Sequence, residues 1–198
     1  MKPAEKLLYI LTPERLKDVG AIAVLAGSIE FRLERVLWSL TGESVTGQKP
    51  STDTKPVSIL IENLFALSEK LGDAELKGII KLWTQIAKPS FRCRNSILHG
   101  LAIVYNEKEA EFMTNTRWEG ELRKRDSSSF HVNEHTLKLL SSIFQTLLDS
   151  VIVIELIADK KIEVGTFFTA DYIASMLDHR SVANEIVDLA AAVNHEKY

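Results

Sequence analysis

The sequence predicts a mainly α protein, an up-and-down helical bundle carrying a small β-hairpin and a short helical C-terminal appendage. Three observations carry this. Apolar residues recur at alternating steps of three and four along most of the chain, the period of one helix face. The period switches to two only between residues 101 and 116. The composition, 198 residues of which 45% are apolar and 26% charged, is that of an ordinary globular chain and excludes collagen, disorder and a disulfide scaffold.

Thr12-Pro13 supplies an N-cap and an N1 proline for a helix of some 28 residues. Its stripe is Leu16, Val19, Ile22, Ala26, Ile29, Leu33, Val36 and Leu40, and Gly42 stops it. Residues 42–55, rich in Gly, Ser and Thr without an apolar period, read as a mobile loop. Pro56 restarts the helix for Ile59, Leu60, Leu64, Leu67 and Leu71, ended by Gly72. Asp73 caps a third helix with Leu76, Ile79, Ile80, Trp83 and Ile86, which Pro89 ends. Leu101, Ile103 and Tyr105 then alternate, residues 109–116 form a second extended run, and Gly120 to Arg125 a third edge strand, so a β-hairpin is expected at about 101–125. Asn133 caps the longest pattern, Leu137, Leu140, Phe144, Leu147, Val151, Ile154 and Ala158, which predicts the central helix. Residues 1–160 are thus the bundle, and 161–198 a short acidic extension in which Thr169 and Ser181 cap two short helices.

Partners and compartment follow from charge and cysteine usage. The longest apolar run, residues 147–158, is interrupted by Asp149, Ser150 and Glu155 and falls short of the ~20 residues that span a bilayer, so no membrane partner is expected. The opening residues predict no secretory signal peptide, and the single cysteine suits a reducing cytoplasm, which is the expected compartment. Net charge is −3. Residues 76–106 nonetheless hold no Asp or Glu but five cations, Lys77, Lys81, Lys88, Arg92 and Arg94, leaving −8 on the rest. Such an island is either a polyanion footprint or a solvated helix face. The extension could be taken for a helix-turn-helix, but five acids against two bases over residues 169–198 repel phosphate, and DNA is not an expected partner.

No Gly-rich phosphate loop, Gly-x-Ser-x-Gly, His-Glu-x-x-His or cysteine cluster is present, so nucleotide hydrolysis, serine-hydrolase and structural-zinc chemistry lose their usual support. His131 and His135 have i,i+4 spacing, but Asn133 reads as a helix cap between them, and no metal site is expected. Cys93 is either a thiol activated by Arg92 and Arg94 or a small buried apolar residue.

The remaining candidate is Arg94-Asn95-Ser96-Ile97-Leu98-His99-Gly100, at the centre of the basic island. With an Arg, a polar residue, and a His after four intervening positions, it resembles the motif of the HEPN superfamily. Residues 27–33, Gly-Ser-Ile-Glu-Phe-Arg-Leu, are similar to the first long helix of such proteins. The resemblance covers about residues 13–158 and implies an all-α homodimer that brings two Arg and two His into one cleft. It further implies a metal-independent endoribonuclease without cofactor, of the kind found in toxin-antitoxin, phage-defence or RNA-processing systems, or a member that has lost activity and serves as a binding module.

The residues can be read apart from the family. Asn95 and His99 are i,i+4, so Asn95 can orient the imidazole. Arg94 and His99 are five apart, about 140° around a helix, so either Arg94 reaches around the turn or Arg of one subunit works with His of another. His99 is the candidate for acid/base work at the RNA 2′-hydroxyl and 5′-oxygen, since imidazole is the side chain best suited to both giving and taking a proton near neutral pH. Arg94 can donate two hydrogen bonds to phosphoryl oxygens, and Lys88 and Arg92 can hold flanking phosphates. In the structural alternative Arg94 pairs with a carboxylate of the first helix, Glu30 being the candidate, and the chain is a helical protein- or RNA-binding module. A neutralising partner protein belongs to the toxin reading.

Overall fold

The structure, a computed structural model, describes residues 12–44, 51–104, 110–114 and 128–195. The protein is mainly α. Helix α1, Pro13–Thr41, begins where Thr12 Oγ1 accepts from the Arg15 amide. It ends at Gly42, whose φ of 68° is the left-handed closure that glycine adopts without strain. The expected stripe is buried from Ile22 to Val36, but Leu16 is 46% exposed. Helix α2, Val57–Ser68, buries Leu60, Ile61 and Leu64. The preceding link is not loose where it is described. Trp38 Nε1 donates to Thr52 Oγ1 at 2.8 Å, and the Ser51 amide and hydroxyl both donate to the Glu43 carboxylate.

Helix α3, Ala74–His99, starts on Asp73, whose carboxylate accepts from the Glu75 and Leu76 amides at 2.9 and 3.0 Å. It does not stop at Pro89 as the sequence predicts but runs ten residues beyond. An interior proline costs about 3 kcal/mol. Beyond it, Phe91, Cys93 and Ile97 are buried, and an apolar side chain of Phe or Ile size contributes roughly 1.5–3 kcal/mol, so burial wins.

Strands β1, Leu101–Val104, β2, Ala110–Thr114, and β3, Ser128–Val132, pair antiparallel in that order, with Leu101 opposite Met113 and Phe112 opposite Phe130. The first lies in the alternating run and the second within the extended run of residues 109–116. The third lies after residues 120–125, the expected edge strand, which are outside the described residues. Phe130 and Val132 are buried.

Helix α4, Glu134–Ala158, is capped by Asn133 as expected and is the core. It is long and apolar enough to cross a membrane, yet Leu140, Phe144, Leu147 and Val151 are wholly buried against other elements. Trp83 Nε1 of α3 donates to its Leu147 carbonyl at 2.9 Å and Phe91 meets Phe144 edge to face, which makes α3 and α4 antiparallel. Helix α1 runs parallel to α4, since Arg32 reaches Glu155 and Ser39 reaches Asp159, both numbers rising together. That departs from a simple up-and-down order. Only short connections force antiparallel neighbours, and the link from α1 to α2 is long.

The C-terminal part is one helix, α5, Ala170–His195, rather than two. Thr169 caps it, its Oγ1 accepting from the Tyr172 amide at 3.3 Å, but Ser181 is interior and returns its hydroxyl to the Leu177 carbonyl. Nor does it hang free. Met176, Ala183 and Ile186 join the same buried cluster as α3 and α4, and the Tyr172 hydroxyl meets Ser150 Oγ at 3.1 Å.

Candidate functional site

Because α3 continues through Pro89, Arg94, Asn95 and His99 occupy its last turns as one rigid piece. The 140° between Arg94 and His99 is therefore a feature of the folded protein. Arg94 turns inward, its side chain 19% exposed, and its Nη2 lies 3.5 Å from Glu30 Oε1 of α1. Its Nη1 donates to Asn95 Oδ1 at 2.9 Å, while Nε is buried without an acceptor. His99 is exposed at the C-terminal end of the helix.

The expected Asn95–His99 contact is replaced by Asn95–Arg94. A guanidinium beside the amide offers a charge-assisted bond, which is stronger than a neutral one to imidazole. Asn95 thus orients Arg94, and Glu30 supports it from the facing helix.

Lys88, Arg92, Asn95 and His99 follow one another at steps of four, three and four, and all four are exposed, forming one polar ridge. The cations are less free than their run of sequence suggests, because acids arrive from other elements. Lys77 and Lys81 both pair with Glu69, the residue that follows α2, at 2.8 and 2.6 Å, and Arg94 pairs with Glu30. Lys88 meets Glu62 at 3.5 Å with both side chains more than half exposed, a pair that contributes little and opens readily to phosphate. Arg92 has no ion pair among the described residues.

Two alternatives drawn from the sequence are settled by position. Cys93 is 2% exposed and burial pushes its thiol up to about 12 against the pull of Arg92, so it is the buried apolar residue and not the nucleophile. His131 lies in β3 and His135 in α4, with Asn133 capping between them, so the two share no helix face.

Two features escaped the sequence reading. Glu155, an interruption in the apolar run of α4, is buried and accepts from both Arg32 and Arg35 of α1 at 3.0 and 2.5 Å. That interruption was the available signal. His179 of α5 is half-buried with Nδ1 unpartnered, and burial lowers its pKa from 6.5. Its sequence surroundings carry no such signal.

Compared with protein-family models, with curated proteins and with solved structures, the chain matches none.

Proposed function

We propose that the chain is a metal-independent endoribonuclease of the HEPN type, working as a homodimer in the cytoplasm, in a toxin or phage-defence setting with a neutralising partner protein. The observation that carries this reading is the last three turns of α3, where an exposed His99 ends a ridge with Arg92 and Lys88 and lies five residues beyond an Arg94 held by Asn95 and Glu30.

In the proposed reaction the neutral imidazole of His99 takes the 2′-hydroxyl proton. The 2′-oxygen attacks the adjacent phosphorus, the bond from phosphorus to the 5′-oxygen breaks, and the imidazolium returns its proton to that oxygen. The products are a 2′,3′-cyclic phosphate and a 5′-hydroxyl. Arg94 meets the charge building on the phosphoryl oxygens. Its contact with Glu30 is long enough for a phosphate to displace, and its angle from His99 calls for Arg of one subunit to act with His of the other. DNA lacks the attacking hydroxyl.

Purified protein is expected to cut single-stranded RNA in excess EDTA, and His99→Ala to abolish cleavage without changing the circular dichroism spectrum. Activity lost to EDTA, or retained in His99→Ala, overturns the proposal.

A second reading, a non-catalytic helical module that binds protein or RNA, is favoured by one observation: Arg94 already has acidic and amide partners and a buried Nε, as a structural arginine would.

A further inference from the structure

The outer face of α1 carries a row of side chains that the bundle leaves uncovered. Leu16, Gly20, Val24, Gly27 and Phe31 follow at steps of four, four, three and four, and the three large ones are 46%, 70% and 56% exposed. Single exposed apolar residues need no explanation, but a row along four turns of one helix does. The two glycines add to it. A Cβ at Gly20 or Gly27 would meet nothing within 4 Å, so packing within the protomer does not require glycine, and each costs roughly 1 kcal/mol against alanine in a helix interior. Beside the row, Leu148 and Ile152 of α4 and Phe31 line a shallow groove that a second helix would fill.

We infer that this face is a two-fold contact between copies of the chain, in which α1 crosses its partner antiparallel with Phe31 seated on the partner's Gly20 and Val24 on the partner's Gly27. The pattern is self-complementary, as an isologous contact demands. The paired numbers sum to 51 in both cases, so each contact occurs twice, a large side chain meeting a notch every time. The same register sets Lys17 against the partner's Glu34. Lys17 is exposed, and neither residue has a salt bridge among the described residues. Burial, and next the like charge of Glu30, raise the Glu34 carboxyl above its ordinary range, an unfavourable state that a partner's ammonium relieves. Charge complementarity at both ends therefore selects a second copy over an unrelated helix.

One consequence rests on the nuclease reading; the contact itself does not. The two-fold axis keeps both Glu30 side chains on the same side of the helix pair, about 14 Å apart along it at 1.5 Å per residue. Both Arg94–Glu30 pairs then face one cleft.

Sedimentation of the full chain tests the contact. The wild type is expected to be a dimer at tens of micromolar, and Val24→Glu and Phe31→Glu monomers with unchanged circular dichroism, since both positions are exposed. A monomeric wild type, or a dimer that survives both substitutions, overturns the contact. Lys17→Glu and Glu34→Lys should each weaken the dimer about tenfold, and the double swap should restore it to within about threefold; failure to restore overturns the register. A dimer that cuts no RNA overturns the nuclease alone, and a monomer that cuts RNA overturns the contact and, with it, the sharing of Arg94 and His99 between subunits.

Discussion

Arg94 is where the two functional readings diverge. Lysine keeps its charge but loses the planar fork. If Arg94 holds a phosphoryl group, Arg94→Lys should lower RNA cleavage by ~10²-fold, about 2.7 kcal/mol, with little change in melting temperature. If it is a structural partner of Glu30, the same substitution should lower the melting temperature by several degrees, and Glu30→Gln should do the same without adding to it. A stability loss with RNase activity intact would refute the catalytic role. His179 gives a separate expectation in pH. Its folded pKa is depressed by burial, so the unfolded chain binds the proton first. Stability is full above about pH 6.5 and is lost as pH falls below it. The melting temperature between pH 7.5 and 5.5 should therefore fall more steeply in the wild type than in His179→Gln, and parallel curves would refute the assignment.

At the scale of elements, the parallel pair α1 and α4 is tied by a buried carboxylate between two half-exposed arginines. Removing one partner of a fully buried pair costs about 3–5 kcal/mol, and the exposure of Arg32 and Arg35 reduces this to roughly 1–2 kcal/mol. For a chain of this size that is a fall of about 5 °C in melting temperature for Glu155→Gln, read by calorimetry. An unchanged melting temperature would mean that the two arginines are equally content in water. Helix α3 shows the opposite balance: Pro89 breaks a local rule, but the apolar residues on both sides of it are buried, and the helix persists.

At the scale of the whole molecule, α5 decides whether the chain is a bundle with an appendage or one cooperative unit. Met176, Ala183 and Ile186 are buried in the same cluster as α3 and α4, and Arg180 Nη1 donates to Gln85 Oε1 at 3.0 Å. Truncation after residue 165 should therefore uncover the core that Met176, Ala183 and Ile186 help to close, lower the melting temperature by more than 10 °C on the scale of about 2–4 °C per kcal/mol, and induce binding of a hydrophobic dye. A truncated chain that melts within a degree or two of the full one would make α5 an appendage after all.

The helices legible in the chain are those whose signals are local. Thr12, Asp73 and Asn133 cap α1, α3 and α4 as read, because a capping side chain bonds an amide two or three residues away. The stripe of α4 and the extended runs that hold β1 and β2 were legible for the same reason. Features that span many residues were set by packing. It carried α3 past Pro89, merged two short C-terminal helices into α5, made α1 and α4 parallel, and brought Glu30, Glu62 and Glu69 to a stretch of chain that has no acid of its own. The physical reason is the same in each case. Burial and ion pairing act between neighbours in space, at several kcal/mol for a cluster of side chains, and outweigh local preferences of about one to three.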